Sequence, residues 1–466
     1  MARTPPAAPG PKEHQMKPGV TTRMPHSTPS TPVRLVGVRF STIWVWTYRC
    51  PYRDWDRGNV VNRELLGIIA FRRVIIMRSV SALASWGVIL TSSYLVLQVT
   101  ADPLAVGILA LAKGLPSLLL TSYGGSLADR HSMTRVIAIT YAVRALAIGA
   151  LALSFWLGGA GLVAIYATTL IAGCSTALAQ ASIAALVVQP VPPQLRHRAM
   201  VLTSLTYSVG AIIGPVFAGT LLVTVGIGAS FFVSALALLG VAGLALLGLG
   251  AEYHEGAGHE QESDQPEAES ETSWWGNLRE GLADKKLRPT FWRIGLLAIA
   301  ALPVLSLAAV IADQYGNSPI LLEVILAASG VGSLLCNLIL MKVDLGQVDR
   351  NRLIAGSFLV TAVGTVLAAA APNIAIEALA FALLAASINV IWVATSSAVQ
   401  TDCTASSRGR MNGIFYTIAS AGTSIGALLL AESFKLAGVP TSLLAVSVFL
   451  FLVGVFTALR RSSPES

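Results

Sequence analysis

Two cations lie inside long apolar stretches of the sequence, where a charge is costly unless it meets a partner or a cavity. Lys113 stands well inside the stretch 103–124, and Arg144 stands inside the stretch 136–157. At about 1.5 Å of rise per residue, Lys113 would lie near the middle of a membrane helix. The two cations could attract an anionic group such as a carboxylate or a catecholate. A tether between helices, or an arginine that snorkels to the interface, is the alternative.

Acidic groups that could carry a proton are few near the apolar stretches. Asp313, Glu323, Glu377 and Glu432 all lie toward the ends of such stretches, where solvation favours an ordinary carboxylate. Glu323 is the best placed, about one helical turn inside its stretch, and is the candidate proton carrier. The first stretch, 79–100, contains no acid.

Three uncharged groups also interrupt apolar stretches. Gln180 lies in the stretch 161–186, while Asn389 and Trp392 lie one helical turn apart in the stretch 374–399. Polar groups beside an aromatic ring at mid-depth could line a substrate cavity. Hydrogen bonds between helices are the other interpretation.

The sequence does not indicate an enzyme. It contains no G-x4-G-K-[ST] phosphate loop and no H-E-x-x-H metal motif. The four cysteines, Cys50, Cys174, Cys336 and Cys403, show no metal-site spacing and are expected to be packing residues. We therefore predict no catalytic set, no metal and no cofactor.

The apolar stretches themselves predict an integral membrane protein. Of the 466 residues, 54% are hydrophobic and only 12% are charged, whereas soluble domains carry about 25% charged residues. Helices of roughly 20 apolar residues cross a bilayer, and membrane strands are about half as long. The stretches that meet this length are 79–100, 103–124, 136–157, 161–186, 199–223, 227–249, 291–312, 319–341, 353–371, 374–399, 411–433 and 439–459.

The net charge of +8 is distributed in a way that argues against nucleic-acid binding. Basic residues gather in every second connection between the stretches, and the opposite connections hold only Lys435. Lys and Arg mark the cytoplasmic loops of membrane proteins. We therefore expect both termini to be cytoplasmic, with the lipid bilayer as the principal surroundings.

Two segments differ from the rest of the chain. Residues 1–60 are rich in Pro, Thr, Ser and Arg and end in an aromatic cluster. We expect them to be disordered or to precede the true start, with an aromatic module as the alternative. Residues 251–290 form a linker, acidic at first, that ends in a basic segment around Trp274 and Trp275. That segment is typical of an amphipathic helix on the membrane surface.

The linker separates two related halves, 61–250 and 291–460, followed by a tail, 461–466. Arg198 begins the fifth stretch and Arg410 begins the eleventh. At the same offset, two glycines of one half match two glycines of the other: Gly210 matches Gly422, and Gly214 matches Gly426. Duplicated halves with a central site are a recurring plan of transporters.

Two motifs suggest a family. The segment Gly125 to Arg135 reads G-x-L-A-D-R-x4-R and follows the second stretch. The fifth stretch contains Gly210, Gly214, Pro215 and Gly219. Glycines four residues apart allow close helix contact in any membrane bundle, and a proline bends the helix.

Taken together, these features resemble the major facilitator superfamily. The segment with Gly125, Asp129, Arg130 and Arg135 is similar to its signature loop, which implies a cytoplasmic latch in which Asp129 meets a helix end or arginine of the other half. A basic loop with a helix cap is the alternative. The glycine motif partly matches the exporter signature, but Ala218 and Val201 stand where it has glycine.

Four short segments narrow the resemblance to the branch of enterobactin-exporter-like and transmembrane secretion effector proteins. These segments are 71–73, 115–116, 278–282 and 408–411. The resemblance implies an all-α fold of twelve transmembrane helices in two pseudo-symmetric six-helix bundles, in a bacterial inner membrane. It also implies a monomeric secondary exporter of a siderophore, antibiotic or similar molecule, with the proton as coupling ion. An importer, and a membrane receptor without transport, are the alternatives.

Overall fold

The computed structural model describes residues 65, 67–159, 161–192, 195–249, 283–284, 286–316, 318–341, 349–403 and 408–459. The predictions for residues 1–60, for most of the linker and for the tail lie outside the described residues. The helices in the described ranges are α1 (Ile69–Thr100), α2 (Pro103–Arg130), α3 (Met133–Trp156), α4 (Leu162–Val188), α5 (Arg196–Thr224), α6 (Ile227–Leu249), α7 (Arg288–Ala300), α8 (Leu302–Ser306), α9 (Ala308–Asp313), α10 (Pro319–Leu340), α11 (Arg350–Ala369), α12 (Ile374–Asp402), α13 (Arg408–Ala437) and α14 (Val439–Leu459).

Within the described ranges, twelve segments are long and apolar enough to cross a membrane, and the seventh of them includes α7 and α8. This confirms the predicted all-helical architecture. Short connections such as 101–102, 225–226 and Gly438 meet at one end of the bundle, which we call the short-loop end. The connections rich in Lys and Arg meet at the opposite end, which we call the arginine end.

The two halves repeat the same helix packing. Helix α3 packs along α6 as α11 packs along α14, and α2 packs on α4 as α10 packs on α12. Helix α1 packs on α5 as α7 packs on α13. Two further contacts join the halves and are equivalent to each other: α2 with α13, and α10 with α5. The fold is therefore two pseudo-symmetric bundles that meet along two matching seams.

Two helix ends differ from the sequence prediction. Helix α1 begins at Ile69 rather than near residue 79, because its first turns bury Phe71 against Val191 and Ala199. Helix α2 continues through Arg130, where the sequence predicted a loop from Gly125 onward. The backbone N–H of His131 donates to the carbonyl of Leu127 at 3.0 Å and closes the last turn.

The seventh span is divided into three short helices. Pro303 has no backbone N–H and cannot continue the ladder of hydrogen bonds. The chain turns at Ala301 and again at Leu307, whose N–H donates to the carbonyl of Pro303 at 2.9 Å. On the facing helix Gly426 leaves room for the Ile299 carbonyl and the Pro303 ring. The break therefore occurs where a glycine of α13 allows the chain to approach closely.

The apolar cores show that the two ends of the bundle are not alike. At the short-loop end, one continuous buried cluster includes residues of both halves, such as Leu95 and Leu97 with Leu307, Ile311 and Phe434. In the first half this cluster continues toward the arginine end, to residues such as Val74 and Leu186, where a small cluster around Phe71 adjoins it. The second half has its own cluster at the arginine end, around Phe291, Phe358 and Phe415. The halves are thus joined by a shared core at the short-loop end.

Candidate functional site

The seams between the halves are lined by small and polar side chains. Along α2 and α13, the hydroxyls of Ser420 and Ser424 lie 3.3 and 3.4 Å from the carbonyls of Gly114 and Ala110. A methyl group at Gly107 would meet Cβ of Ala431 at 2.9 Å. These glycines allow the helix backbones to approach closely, as is usual for small residues at membrane helix contacts.

The second seam, between α5 and α10, is built in the same way. Asn337 donates to the hydroxyl of Ser208 at 3.0 Å. A methyl group at Gly330 would meet Cγ1 of Ile212 at 2.7 Å. The two halves therefore contact each other mainly along two equivalent seams, each formed by one helix pair.

Arg78 occupies a position between the halves that the sequence analysis did not single out. Its guanidinium acts electrostatically on the hydroxyl groups of Tyr207 on α5 and Tyr416 on α13. Its Nε is buried and has no hydrogen-bond acceptor among the described residues. Each tyrosine is also next to a tryptophan: the rings of Tyr207 and Trp86 are 6.0 Å apart, and those of Tyr416 and Trp392 are 5.8 Å apart. Arg78 therefore acts electrostatically on one tyrosine from each half, and we call these two tyrosines and their neighbouring tryptophans the aromatic shell.

Lys113 and Arg144 come together as the sequence suggested they could. Their positive charges are close enough to repel each other. Nε of Arg144 is buried without an acceptor among the described residues, while the Lys113 side chain is not covered by protein. Neighbouring Gly114 packs against Ser424 of the other half. A cation at mid-depth that faced lipid would be costly, and whether Lys113 lines a cavity between the halves stays a prediction.

The other predicted cavity residues have different surroundings. Asn389 donates to the carbonyl of Ser333 on α10 at 3.2 Å, which is a bond between two helices of the same half. Trp392 lies edge-on to Phe415 at 5.2 Å and next to Tyr416, in the aromatic shell around Arg78. Gln180 is partly covered on α4. Their role in binding stays a prediction.

The glycine motif of α5 faces both α1 and the other half. A methyl group at Gly210 would meet Cβ of Ala82 at 2.6 Å, and one at Gly214 would meet Cβ of Trp86 at 2.9 Å. Pro215 lies inside the same continuous helix. Gly219 instead leaves room for the carboxylate of Glu323 on α10, the candidate proton carrier. Glu323 is partly exposed and lies on a seam between the halves.

The matching glycines of the second half make the equivalent contacts. A methyl group at Gly422 would meet Cβ of Ala298 at 2.7 Å, and one at Gly426 would meet Cγ of Pro303 at 2.6 Å. The run from Gly422 to Gly426 also has the letters G-x-S-x-G. It lies inside helix α13, whereas the hydrolase elbow with those letters sits at a strand-to-helix turn.

Glu377 contradicts the expectation that acids near the helix ends are solvated. It lies near the start of α12, yet its relative exposure is 0%. Tyr315, in the connection between α9 and α10, reaches Oε2 of Glu377 at 3.0 Å. The expectation was wrong because this connection folds over the end of α12.

The predicted latch lies where α2 turns into α3. Gly125, Asp129 and Arg130 belong to the last turns of α2, but their side chains are outside the described part of the structure. Arg135 is exposed in the first turn of α3. The latch therefore stays a prediction.

Comparison with known families gives a result that agrees with this geometry. A family model described as transmembrane secretion effector matches residues 66–465. The chain belongs to the transmembrane secretion effector family. It is a multi-pass transporter of the major facilitator type, as its twelve spans and paired bundles also indicate. No curated protein matches the chain in sequence.

Solved structures share the fold of this secretion effector at low sequence identity. A POT family transporter, in complex with a thioalcohol-conjugated peptide, aligns with a TM-score of 0.69 and 10% identity over 84% of this chain and 95% of its own. The nucleoside transporter NupG aligns with a TM-score of 0.64 and 12% identity over 84% and 99%. The E. coli fucose:proton symporter FucP aligns with a TM-score of 0.58 and 13% identity over 84% and 98%.

Proposed function

We propose that this secretion effector is a secondary transporter that exports a small organic anion by alternating access. The observation that carries the proposal is the set of cations within the membrane spans whose Nε donors lack a protein acceptor. Buried Arg side chains normally find a carboxylate or carbonyl partner. Arg78 and Arg144 have buried donors without one among the described residues.

An anionic cargo would supply the missing acceptors. Hydrogen bonds between a guanidinium and a carboxylate or catecholate are charge-assisted, and they are roughly twice as strong as neutral ones. Lys113 would add a third positive charge, on α2. Repulsion between Lys113 and Arg144 is relieved when a negative charge lies near both. Together, these residues favour an anion over a neutral or cationic molecule.

The rings around Arg78 indicate what the rest of the cargo is like. Trp86 and Tyr207 come from the first half, and Trp392 and Tyr416 come from the second. Aromatic side chains bind flat apolar groups by stacking and edge contacts. The cargo class that fits is a molecule with an aromatic or apolar body and an acidic group, as in many siderophores and antibiotics.

Orientation follows from the distribution of Lys and Arg. The arginine end is placed in the cytoplasm by the rule for basic loops, with both termini on that side. The shared apolar core then closes the outer face of a bacterial inner membrane, and a cargo would enter from the cytoplasm. The glycine motif of α5 supports export, and a proton is the proposed coupling ion. The protein is proposed to act as a monomer.

A transport assay tests this function directly. Purified protein is reconstituted in liposomes with an imposed pH gradient, and the probe is 2,3-dihydroxybenzoate, with neutral catechol as the matched control. Export by proton antiport predicts that the anion accumulates in liposomes with an acidic lumen when the arginine end faces outward. Accumulation only when the arginine end faces inward and the lumen is alkaline would instead indicate import by proton symport, the coupling named for the fucose:proton symporter FucP. Equal flux of both probes would overturn the anion preference.

A further inference from the structure

A buried carboxyl group at the short-loop end has no place in the proposed cargo site. Glu377 lies in α12 with its side chain fully covered by protein. Its atom Oε1 has no hydrogen-bond partner among the described residues. A buried carboxylate with an unsatisfied oxygen is costly, whereas a neutral carboxylic acid avoids most of that cost.

The hydrogen-bond contacts of Tyr315 support the neutral form of Glu377, because the Tyr315 hydroxyl has only one proton to donate. The Tyr315 hydroxyl oxygen lies 3.0 Å from Oε2 of Glu377 and 2.9 Å from the carbonyl oxygen of Ala371. Burial raises the pKa of Tyr315, so its hydroxyl keeps its single proton. One proton cannot serve two acceptors well. Both contacts are satisfied when Tyr315 donates to Ala371 and a protonated Glu377 donates to Tyr315.

No neighbouring cation balances a negative charge at this site. The charged groups at the same end of the segments around Glu377 are Asp313 at the end of α9, Glu323 on α10, and Glu432 and Lys435 on α13. None of them is among the groups that act on the Glu377 carboxyl within the described part of the chain, where Tyr315 is the partner. Asn373 caps α12 with its side-chain oxygen on the N–H of Ile376. The site therefore consists of the Glu377 carboxyl, the Tyr315 hydroxyl and the Ala371 carbonyl.

The same contacts join segments that take part in closing the short-loop end. Tyr315 lies two residues after α9, whose residues Ala308 to Ala312 belong to the core shared by both halves. Phe381, one turn beyond Glu377 on α12, belongs to the same core. Tyr315 therefore connects the end of the divided seventh span to α12 in the closed arrangement.

We propose that Glu377 is a proton-binding site, with Tyr315 as its partner, and that the bound proton stabilises the conformation closed at the short-loop end. This rests on the proposed alternation between two conformations, in which opening of that end admits water to the carboxyl. Protonation involves transfer of one proton from water to Oε2. Acid on the short-loop side then favours closure, and deprotonation favours opening, because the two conformations bind the proton with different affinity.

A distance measurement tests the site without any knowledge of the cargo. Spin labels are placed at Leu157→Cys and Leu436→Cys, two exposed positions at the short-loop end of opposite halves, with the native cysteines replaced by alanine. In wild type, lowering the pH should raise the ratio of closed to open distances, by at most about tenfold per pH unit for one proton. Glu377→Gln should favour the closed distances and should lose the closure driven by acid, since its amide can donate to Tyr315 as the acid does.

Glu432→Gln is the matched control, and it should keep the wild-type response. A wild type without a pH response, or a Glu377→Gln variant that responds as wild type does, would overturn the proposal. A protein that cycles with pH but moves no anion in liposomes would instead contradict the proposed function. The two failures can therefore be distinguished.

A second pair of variants covers the case in which Glu377→Gln does not fold. Tyr315→Phe removes the partner of the carboxyl and should move the midpoint of the pH response. Tyr166→Phe is its control, because Tyr166 donates to the carbonyl of Ala105 at 3.0 Å and is not among the groups that act on Glu377 within the described part of the chain. Equal midpoints in Tyr315→Phe and wild type would count against Glu377.

Discussion

Lys435 and Asp102 form an ion pair that joins the two halves of the molecule, with Nζ 3.2 Å from Oδ2. Asp102 caps α2, since its Oδ1 accepts the N–H of Leu104 at 3.0 Å. Lys435 lies in the last turn of α13. The pair lies at the short-loop end, beside the core that closes it, and so links a helix cap in one half to the closed arrangement of both.

Removal of this pair should shift the protein toward opening at the short-loop end. Asp102→Asn is expected to cost the closed form at most about 1 kcal/mol, because both side chains are partly exposed. That corresponds to a change of up to about fivefold in the ratio of closed to open molecules. The labelled pair at positions 157 and 436 measures the ratio. Asp349→Asn is the control, because Asp349 caps α11 and pairs with Arg352 within one half.

The same pair should respond to pH with a defined sign. The Leu104 N–H, and then Lys435, lower the pKa of Asp102 in the closed form. The stabilisation of the closed form by Asp102 is therefore complete at neutral pH. It is lost as the pH falls through the lowered pKa of Asp102. This is opposite in sign to the effect proposed for Glu377. In the Glu377→Gln variant, acid should open the short-loop end slightly, and in Glu377→Gln with Asp102→Asn this response should vanish.

Alanine at the paired glycines should destabilise both halves to a similar degree. Gly214→Ala would press on Trp86, and Gly426→Ala would press on Pro303. Overpacking of this kind costs about 1–3 kcal/mol. Thermal unfolding in detergent measures the effect. Gly240→Ala on α6 is the control, because a methyl group there meets nothing within 4 Å. A loss at Gly240 as large as at Gly214 would mean that the helix contacts are not the cause.

Substitution of Arg78 or Lys113 by an uncharged residue should weaken the binding of anions more than that of neutral molecules. Arg78→Gln and Lys113→Met each remove a charge-assisted bond of about 1.5–3 kcal/mol, so 2,3-dihydroxybenzoate should bind about 10- to 150-fold more weakly. Neutral catechol should be little affected. Titration calorimetry measures both, and Arg72→Gln, an exposed position near the start of α1, is the control. An equal loss for both probes would refute an anion site.

The predicted latch gives one further test. Asp129→Asn should depress transport of 2,3-dihydroxybenzoate in liposomes while thermal unfolding is largely unchanged, because removal of one carboxylate shifts a balanced equilibrium more than it weakens the fold. Wild-type flux in this variant would remove Asp129 from the mechanism.

The spans and the repeat could be predicted because their causes are local. Apolar length and alternating basic connections indicated twelve helices, and the spacing from Arg198 and Arg410 indicated that Gly210 and Gly422 have the same environment. Both glycines do pack on the first helix of their half. In such cases the neighbours of a residue are set by the helix that carries it.

Arg78 and Glu377 show where local patterns fail. Arg78 falls just outside the apolar run that predicts the first helix, and the sequence analysis does not single it out. Glu377 is buried by Tyr315, which lies 62 residues away in the chain. Contacts of this kind depend on how separate segments meet, and hydropathy carries no information about them.

The two seams between the halves have a consequence for inhibition. The distance between the helices is short at both seams. Gly107 and Gly114 allow close backbone contact at the first seam, and Gly219 and Gly330 allow it at the second. Helices in such close contact can rotate against each other, but they leave no room for another molecule between them. A lipophilic compound that inserted between α5 and α10 from the bilayer would block the motion of the two halves. It would inhibit transport without competing with the cargo for its site.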